Sequence, residues 1–494
     1  MAWFLVLVLV ICILLTWKIR KTFSYWDGTG IPHMRFWQYA KHVYQTFSRP
    51  VHEVFLDSRK EYGRVYGTYQ DTYPCLVVGD PDLLRHIYVK NFLSFADRTV
   101  PGEVGNQLWD RMLNILPAAE WREFRNILTT CFTSARLKMM LPKIAHVANR
   151  TGDIFLELAK QNETANVHDI SLKSTLDVIA AVAFSIEADS YRNPENPLRK
   201  YYYNVFSGDN GGKVLMYFRM PGLFKLFQLL GLRLVPERYS NNFCGLMQMI
   251  IRERMQDKLK MDDQLQILLD AMAPNDDKEI QNAAGKRMSI HEVISQSLLL
   301  LAGGSDTTAW ALTTVLYLLA LNESCQEKLI EEIDRVIGKD EVTYDKLQSV
   351  HYLEAVINEA LRLSRVNPYH FRQCTSEAIV NGIHFTPGMA VIIPIDCIHR
   401  DPEFFPEPEV FEPERFLPRN KDKIGPFTFA PFGFGPRNCF GMRQAMLHLK
   451  IFLVCIFQKV KFQRCMETVE HVAYKPRSFF PQLASPIILR PVAR

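Results

Sequence analysis

Ten residues near the carboxyl end, Phe432-Gly433-Phe434-Gly435-Pro436-Arg437-Asn438-Cys439-Phe440-Gly441, constrain this chain more than any other feature. Glycines let a backbone come close to a flat ligand, because glycine adopts conformations that side chains forbid. The loop delivers one cysteine just before an apolar run, about Met442 to Val460, that reads as a helix. A helix amino terminus lowers a thiol pKa, so a thiolate able to bind metal is expected at Cys439. An ordinary buried cysteine in a loop is the alternative. The ten cysteines of the chain have no repeated short spacing and fit neither a zinc site nor a disulfide framework. They read as reduced thiols in a cytosol-facing chain.

The opposite end imposes a second constraint. Met1 to Trp17 carries no charged side chain and is dominated by Leu, Val and Ile, long enough to span a bilayer if slightly stretched. No basic segment precedes the run and no small-x-small pattern follows it, which favours an anchor over a cleaved signal peptide. Lys18, Arg20 and Lys21 flank it, so the positive-inside rule predicts a single-pass anchor over residues 1–21, with a catalytic domain, 22–494, in the cytosol. With 58 basic and 53 acidic residues, the formal charge of +5 is too small and too evenly spread to argue for nucleic acid. Three matches to the glycosylation pattern, at Asn149, Asn162 and Asn322, are expected to stay unmodified.

Between the ends, Val65 to Val78 alternates like strands, bounded by Gly63, Gly67 and Pro74. The spacing from about Pro81 to Val366 is mostly helical. Short β-branched runs return at Ile383–Phe385 and Ala390–Ile395, followed by a Pro-rich irregular segment from Asp401 to Pro436. The expectation is one mainly α domain with a small β region. Thr22 to Pro50 has no clear periodicity. Val214 to Val235 is leucine- and aromatic-rich but broken by Pro221 and Gly231, either a buried helical hairpin or a surface that dips into a membrane.

Three further patterns bear on chemistry. Leu298–Leu316 reads as an apolar helix interrupted by Gly303-Gly304-Ser305-Asp306-Thr307-Thr308. Glycines and hydroxyl residues in mid-helix disturb the hydrogen-bond ladder, which calls for a functional notch or a close helix crossing. Glu359 and Arg362 lie three apart on one helix face, by itself a common surface pair. Trp121 and Arg125 lie four apart.

Together these residues carry a resemblance. Phe432–Gly441 matches the haem-binding signature FxxGxRxCxG of the cytochrome P450 superfamily at every fixed position, and the helical notch matches its oxygen-activating pattern. Glu359-Ala360-Leu361-Arg362 and Pro413-Glu414-Arg415-Phe416 are similar to its ExxR and PERF elements, and Trp121 with Arg125 to its WxxxR. Segments such as Cys131–Met140 and His399–Pro402 look like the microsomal clan that contains the drug-oxidising family 3 enzymes. The hinge after the anchor departs from that clan, offering only Gly28, Gly30 and Pro32. His448 stands where a glutamate is common.

The resemblance implies the cytochrome P450 fold, a triangular helical domain around a buried haem b, with Cys439 as the axial iron ligand. Trp121, Arg125, Arg372 and Arg437 would meet the haem propionates, with Arg98 a weaker candidate. Asp306 would relay protons and Thr307 would hold the reacting oxygen and its waters. Glu359, Arg362 and Arg415 would form a buried structural network that fixes the cysteine loop. The implied reaction inserts one atom of dioxygen into a lipophilic small molecule. The chain has no GxGxxG after a strand. Electrons would therefore come from NADPH through an NADPH-cytochrome P450 reductase in the endoplasmic reticulum membrane, with cytochrome b5 as an auxiliary donor. Arg437, Arg443 and Lys450 could present a docking face to such acidic partners. The pocket should be apolar, lined by parts of 100–117, 298–306, 366–371 and 477–481. Two rivals are a haem-thiolate isomerase or dehydratase acting on peroxides, and a non-enzymatic haem sensor. Neither needs Asp306 and Thr307.

Overall fold

The computed structural model describes residues 2–98, 104–206, 211–231, 233–256, 260–272, 288–478 and 481–494. Helices dominate, and they pack into one large core, while a smaller core forms under a four-stranded sheet. The strands of that sheet are β1 (Val65–Gln70), β2 (Tyr73–Val78), β3 (Tyr369–Gln373) and β4 (Ala390–Pro394), in the order β1-β2-β4-β3. β1 and β2 form a hairpin with Val65 opposite Val78. β4 joins parallel to β2, Cys75 opposite Ala390, and antiparallel to β3, Phe371 opposite Ile392. All five residues of β4 are buried, as a strand covered on both faces requires. The mainly α class with a small β region is what the sequence predicts.

The helices that matter for function are α1 (Ala2–Phe23), α2 (Phe36–Ser48), α3 (Ala118–Thr130), α4 (Ser134–Lys160), α5 (Val167–Phe184), α6 (Pro197–Phe206), α7 (Gly211–Arg219), α8 (Pro221–Leu229), α9 (Ile290–Leu321), α10 (His351–Leu363) and α11 (Met442–Phe457). The expected interruption of α9 is absent: the helix is continuous for 32 residues, opened by a capping box of Ser289 and Glu292. Its glycines have separate reasons. A Cβ at Gly304 would run into Ile179 of α5, so close packing fixes that residue. Gly303 faces open space, with nothing nearer than a Leu299 methyl at 4.0 Å. Thr175 of α5 donates its hydroxyl to the Ser305 carbonyl at 2.9 Å. The notch is both a helix crossing and a place where side chains enter the ladder.

One expectation about the amino-terminal region needs correction. Thr22 to Pro50 contains α2, whose buried side is narrow, Tyr39, His42 and Thr46, while Trp37 and Tyr44 are exposed. An exposed aromatic face hides helical periodicity. The segment expected to span a membrane is a 22-residue helix, α1, with Arg20 and Lys21 in its last turn and with Trp3, Phe4, Leu7, Leu14 and Trp17 exposed. Among the described residues no helix is long and apolar enough to cross a membrane. Met1 lies outside the described residues.

Residues 214–235 combine a buried part with an exposed apolar edge. Leu215, Tyr217 and Phe224 are buried against Val104 and the sheet core, whereas Leu226, Leu229 and Leu230 are exposed. Leu232 lies outside the described residues.

Candidate active site

The cysteine loop is shaped by two glycines at positive φ, Gly433 and Gly435, both at 71°. At Gly435 a Cβ would collide with the Tyr88 carbonyl, so no other residue fits without moving the backbone. Cys439 N donates to the Phe432 carbonyl at 2.8 Å, closing the loop just before α11. Gly441 and Met442 turn backbone N–H groups toward the thiol, and Arg125 and Arg98 add positive charge. Burial outweighs them and raises the thiol pKa in the protein alone. A metal would have to supply the remaining stabilisation.

α9 and α11 pack against each other through the interior. Even so, Gly303, Asp306 and Thr307 on α9 and Cys439 beside α11 keep accessible surface while protein encloses Asp306 and Cys439 on all sides. That combination marks an internal cleft. Thr307 donates its hydroxyl to the Gly303 carbonyl at 2.6 Å, the back-bond of a hydroxyl residue within a continuous helix. Asp306 accepts the Tyr202 hydroxyl at 3.1 Å. Burial raises its carboxyl pKa, opposed by His168 and Tyr202.

Three arginines lie beside the loop. Arg437 is buried, stands 4.8 Å over the Trp121 ring and donates Nη2 to the Leu116 carbonyl at 2.6 Å. Its Nε and Nη1 find no partner among the described residues. Burial, then Arg98 and Arg372, push its pKa down to about 9. Arg98 donates to the Arg437 carbonyl at 3.2 Å and is pushed down to about 10 by burial and Arg372. Arg372, on β3, is lowered mainly by burial. Like charges this close need an anion between them. A flat ligand carrying carboxylates and a metal open to a thiol fits both the orphaned guanidinium and the cysteine. Arg125 serves the loop differently, donating Nη1 to the Asn438 carbonyl and Nη2 to Asn438 Oδ1, both at 2.7 Å.

Glu359, Arg362 and Arg415 do converge. Arg362 and Glu359 are fully buried and paired through two bonds of 2.7 Å. The other Arg362 donors reach the carbonyls of His399, Pro408 and Val410, so its five N–H groups are all engaged. Arg415 Nε stands 3.5 Å from Glu359 Oε1, which also accepts Glu412 N at 3.0 Å.

Sequence reasoning missed His399. Its Nδ1 donates to the Arg362 carbonyl at 3.2 Å and its Nε2 accepts Ala430 N at 3.0 Å, tying the network to the start of the cysteine loop. No short motif announces it. Burial, then Arg362, hold its pKa down at about 3. An unfolded histidine titrates near 6.5. The folded state therefore binds fewer protons than the unfolded one between those values, and stability falls as pH drops below about 6.5. Protonation would also break the bond from Ala430. We expect the thermal unfolding midpoint to decline from pH 6.5 downward, and the decline to flatten in His399→Gln, measured by circular dichroism.

The docking expectation is corrected for two residues. Arg437 is buried, and buried Lys450 is tied to Glu354 at 2.7 Å, which leaves Arg443 as the accessible member. Of the expected pocket stretches, 100–103 and 479–480 lie outside the described residues; Ile115, Ala302 and Phe371 are half-buried, and Phe371 stacks on Phe218 at 5.6 Å.

Fold and site together define a haem-thiolate protein. The chain belongs to the cytochrome P450 family: the sequence model described as Cytochrome P450 matches residues 30–489. It is 32% identical over 438 residues to "Cytochrome P450 3A9" of Rattus norvegicus, covering 88% of this chain and 86% of the relative. It is likewise 32% identical to "Cytochrome P450 3A28" of Bos taurus, covering 96% and 93%, and to "Lithocholate 6-beta-hydroxylase" of Mesocricetus auratus, covering 88% and 86%. The protein is a monooxygenase of lipophilic substrates that uses haem b with cysteine thiolate ligation, dioxygen and a redox partner.

Proposed function

We propose that Cys439 is the thiolate ligand, and the observation that carries this is an accessible thiol at the floor of an enclosed cleft beside partnerless buried guanidinium nitrogens. Arg372, Arg437 and Arg98 hold the propionates, Trp121 supports Arg437 from below, and Arg125 fixes Asn438. Haem with a thiolate ligand supplies the activation of dioxygen and the transfer of one oxygen atom to the substrate. Thr307, whose hydroxyl rests on the Gly303 carbonyl at the cleft, would hold the reacting oxygen and its waters. Asp306 holds and passes protons, and burial suits it to that task by bringing its pKa upward. Half-buried Ile115, Ala302 and Phe371 offer the substrate an apolar wall.

Electrons come from NADPH through the cytochrome P450 reductase, with cytochrome b5 as an auxiliary donor. α1 and the exposed leucines at the end of α8 hold the domain on the cytosolic face of the endoplasmic reticulum membrane, and substrate enters from lipid. The "Lithocholate" in one relative's name makes that carboxylate one substrate to screen. In a reconstituted system, product should require both reductase and NADPH. Turnover of an added hydroperoxide with no use of NADPH would favour the isomerase reading instead, which Asp306 and Thr307 in the cleft argue against.

A further inference from the structure

Asp306 has a second side, away from Thr307, built from α5 and α6. Tyr202 of α6 donates its hydroxyl to Asp306 Oδ1 at 3.1 Å. His168, half-buried near the start of α5, lies within electrostatic reach of both Asp306 and Asp169. Its ring packs 5.1 Å from Trp310 of α9, one turn beyond Asp306.

The tautomer of His168 follows from its neighbours. Thr313 donates its hydroxyl proton to the Ala309 carbonyl at 2.7 Å, so its oxygen can only accept from His168 Nδ1, 3.3 Å away. Nδ1 therefore keeps its hydrogen in either charge state, and Nε2 is the atom that gains or loses a proton. On the outer side, Asp169 has a side chain 38% exposed, pairs with Lys173 at 2.5 Å and accepts the Tyr203 hydroxyl at 3.3 Å. Arg199 stands 5.5 Å over the Tyr203 ring. An acid open to solvent, a histidine with one free nitrogen and a buried acid thus lie in succession.

We propose that His168 resupplies Asp306 with protons from the Asp169 edge, while Tyr202 orients the Asp306 carboxylate to receive them. This rests on Asp306 as a proton carrier in the oxygenase reaction. In the transfer, the N–H bond at His168 Nε2 breaks and an O–H bond forms on Asp306. The imidazole is then reprotonated at Nε2 by hydronium from the bulk solvent that reaches the Asp169 edge, leaving water behind, and no electrons move. Burial lowers the His168 pKa against the pull of Asp306 and Asp169, which makes its imidazolium a short-lived, ready donor. Tyr202 is a positioning residue, acting through the bond it donates to Asp306, whereas His168 carries the proton itself.

The test uses the full-length, haem-loaded protein with His168→Gln and Tyr202→Phe. Glutamine keeps an N–H for Thr313 and cannot carry a proton. The carboxylic-acid carbonyl band of Asp306, identified by its loss in Asp306→Asn, is titrated against pH by infrared difference spectroscopy. Each variant removes a group that favours the carboxylate, so each should move the midpoint upward, by about one pH unit. With reductase and NADPH, hydrogen peroxide formed per product should rise about three- to ten-fold in His168→Gln, the range expected for losing one proton-transfer hydrogen bond. An unmoved midpoint in both variants, or a wild-type peroxide ratio in His168→Gln, overturns the relay. A wild-type peroxide ratio in Asp306→Asn overturns the underlying role of Asp306 as well.

Discussion

Replacing Cys439 with serine is expected to remove the red-shifted Soret band that the dithionite-reduced wild-type protein develops with carbon monoxide. That band reports a thiolate on the iron, and a serine hydroxyl, far less acidic than a thiol, does not supply one. The substitution should leave the loop standing. Its shape depends on Gly433, Gly435, the Cys439 N–H to Phe432 and the Arg125 clamp on Asn438, none of which involves the sulfur. Circular dichroism of Cys439→Ser should therefore overlay the wild type while haem content falls. The same measurement bears on thiol acidity. Burial raises the Cys439 pKa in the protein alone, so thiolate character in the loaded protein reflects bonding to iron as much as the helix terminus. A wild-type protein that is folded and haem-loaded yet lacks the band would refute ligation by Cys439.

Much of the site is legible in the sequence because it is local. The cysteine loop, the α9 notch and the Glu359–Arg362 pair each sit within a few residues, and their spacing fixes which side chains meet. Non-local partners are not legible. His399 joins α10 to the loop through two backbone groups 37 and 31 residues away, and Tyr202 reaches Asp306 from another helix. The same limit explains the docking residues: Lys450 faces inward because Glu354 of α10 meets it there, a pairing no helical wheel of α11 predicts. β3 is missed for a related reason. Tyr369-His370-Phe371-Arg372-Gln373 sets basic His370 and Arg372 between its aromatic residues and ends in Gln373, so it does not read as an apolar strand. α2 is hidden by the opposite effect, aromatic residues left exposed on its outer face.

The largest stability effect is expected at Glu359. In Glu359→Gln the side chain keeps its shape, but one oxygen becomes an NH2 group facing the N–H donors of Arg362. Arg362 then remains fully buried with a positive charge and no carboxylate, while Arg415 keeps Glu412, 2.9 Å from its Nη2, as its counter-charge. Stranding one partner of a buried pair typically costs roughly 3–5 kcal/mol. Removing both charges should cost less than the two single changes added together, because no uncompensated charge is left behind. Glu359→Gln, Arg362→Leu and the double variant, compared by thermal unfolding at one scan rate, should therefore show strong non-additivity. Arg362→Lys should fare little better than Arg362→Leu: an ammonium has three donors and no planar fork, whereas five N–H groups are used here. Haem should be released at lower temperature in each single variant, since Arg362 also holds His399, and His399 holds Ala430 at the start of the cysteine loop. Additive effects in the double variant would mean that the pair is a packing element whose charge is immaterial. Haem release unlinked from unfolding would mean that the loop keeps its shape without the network.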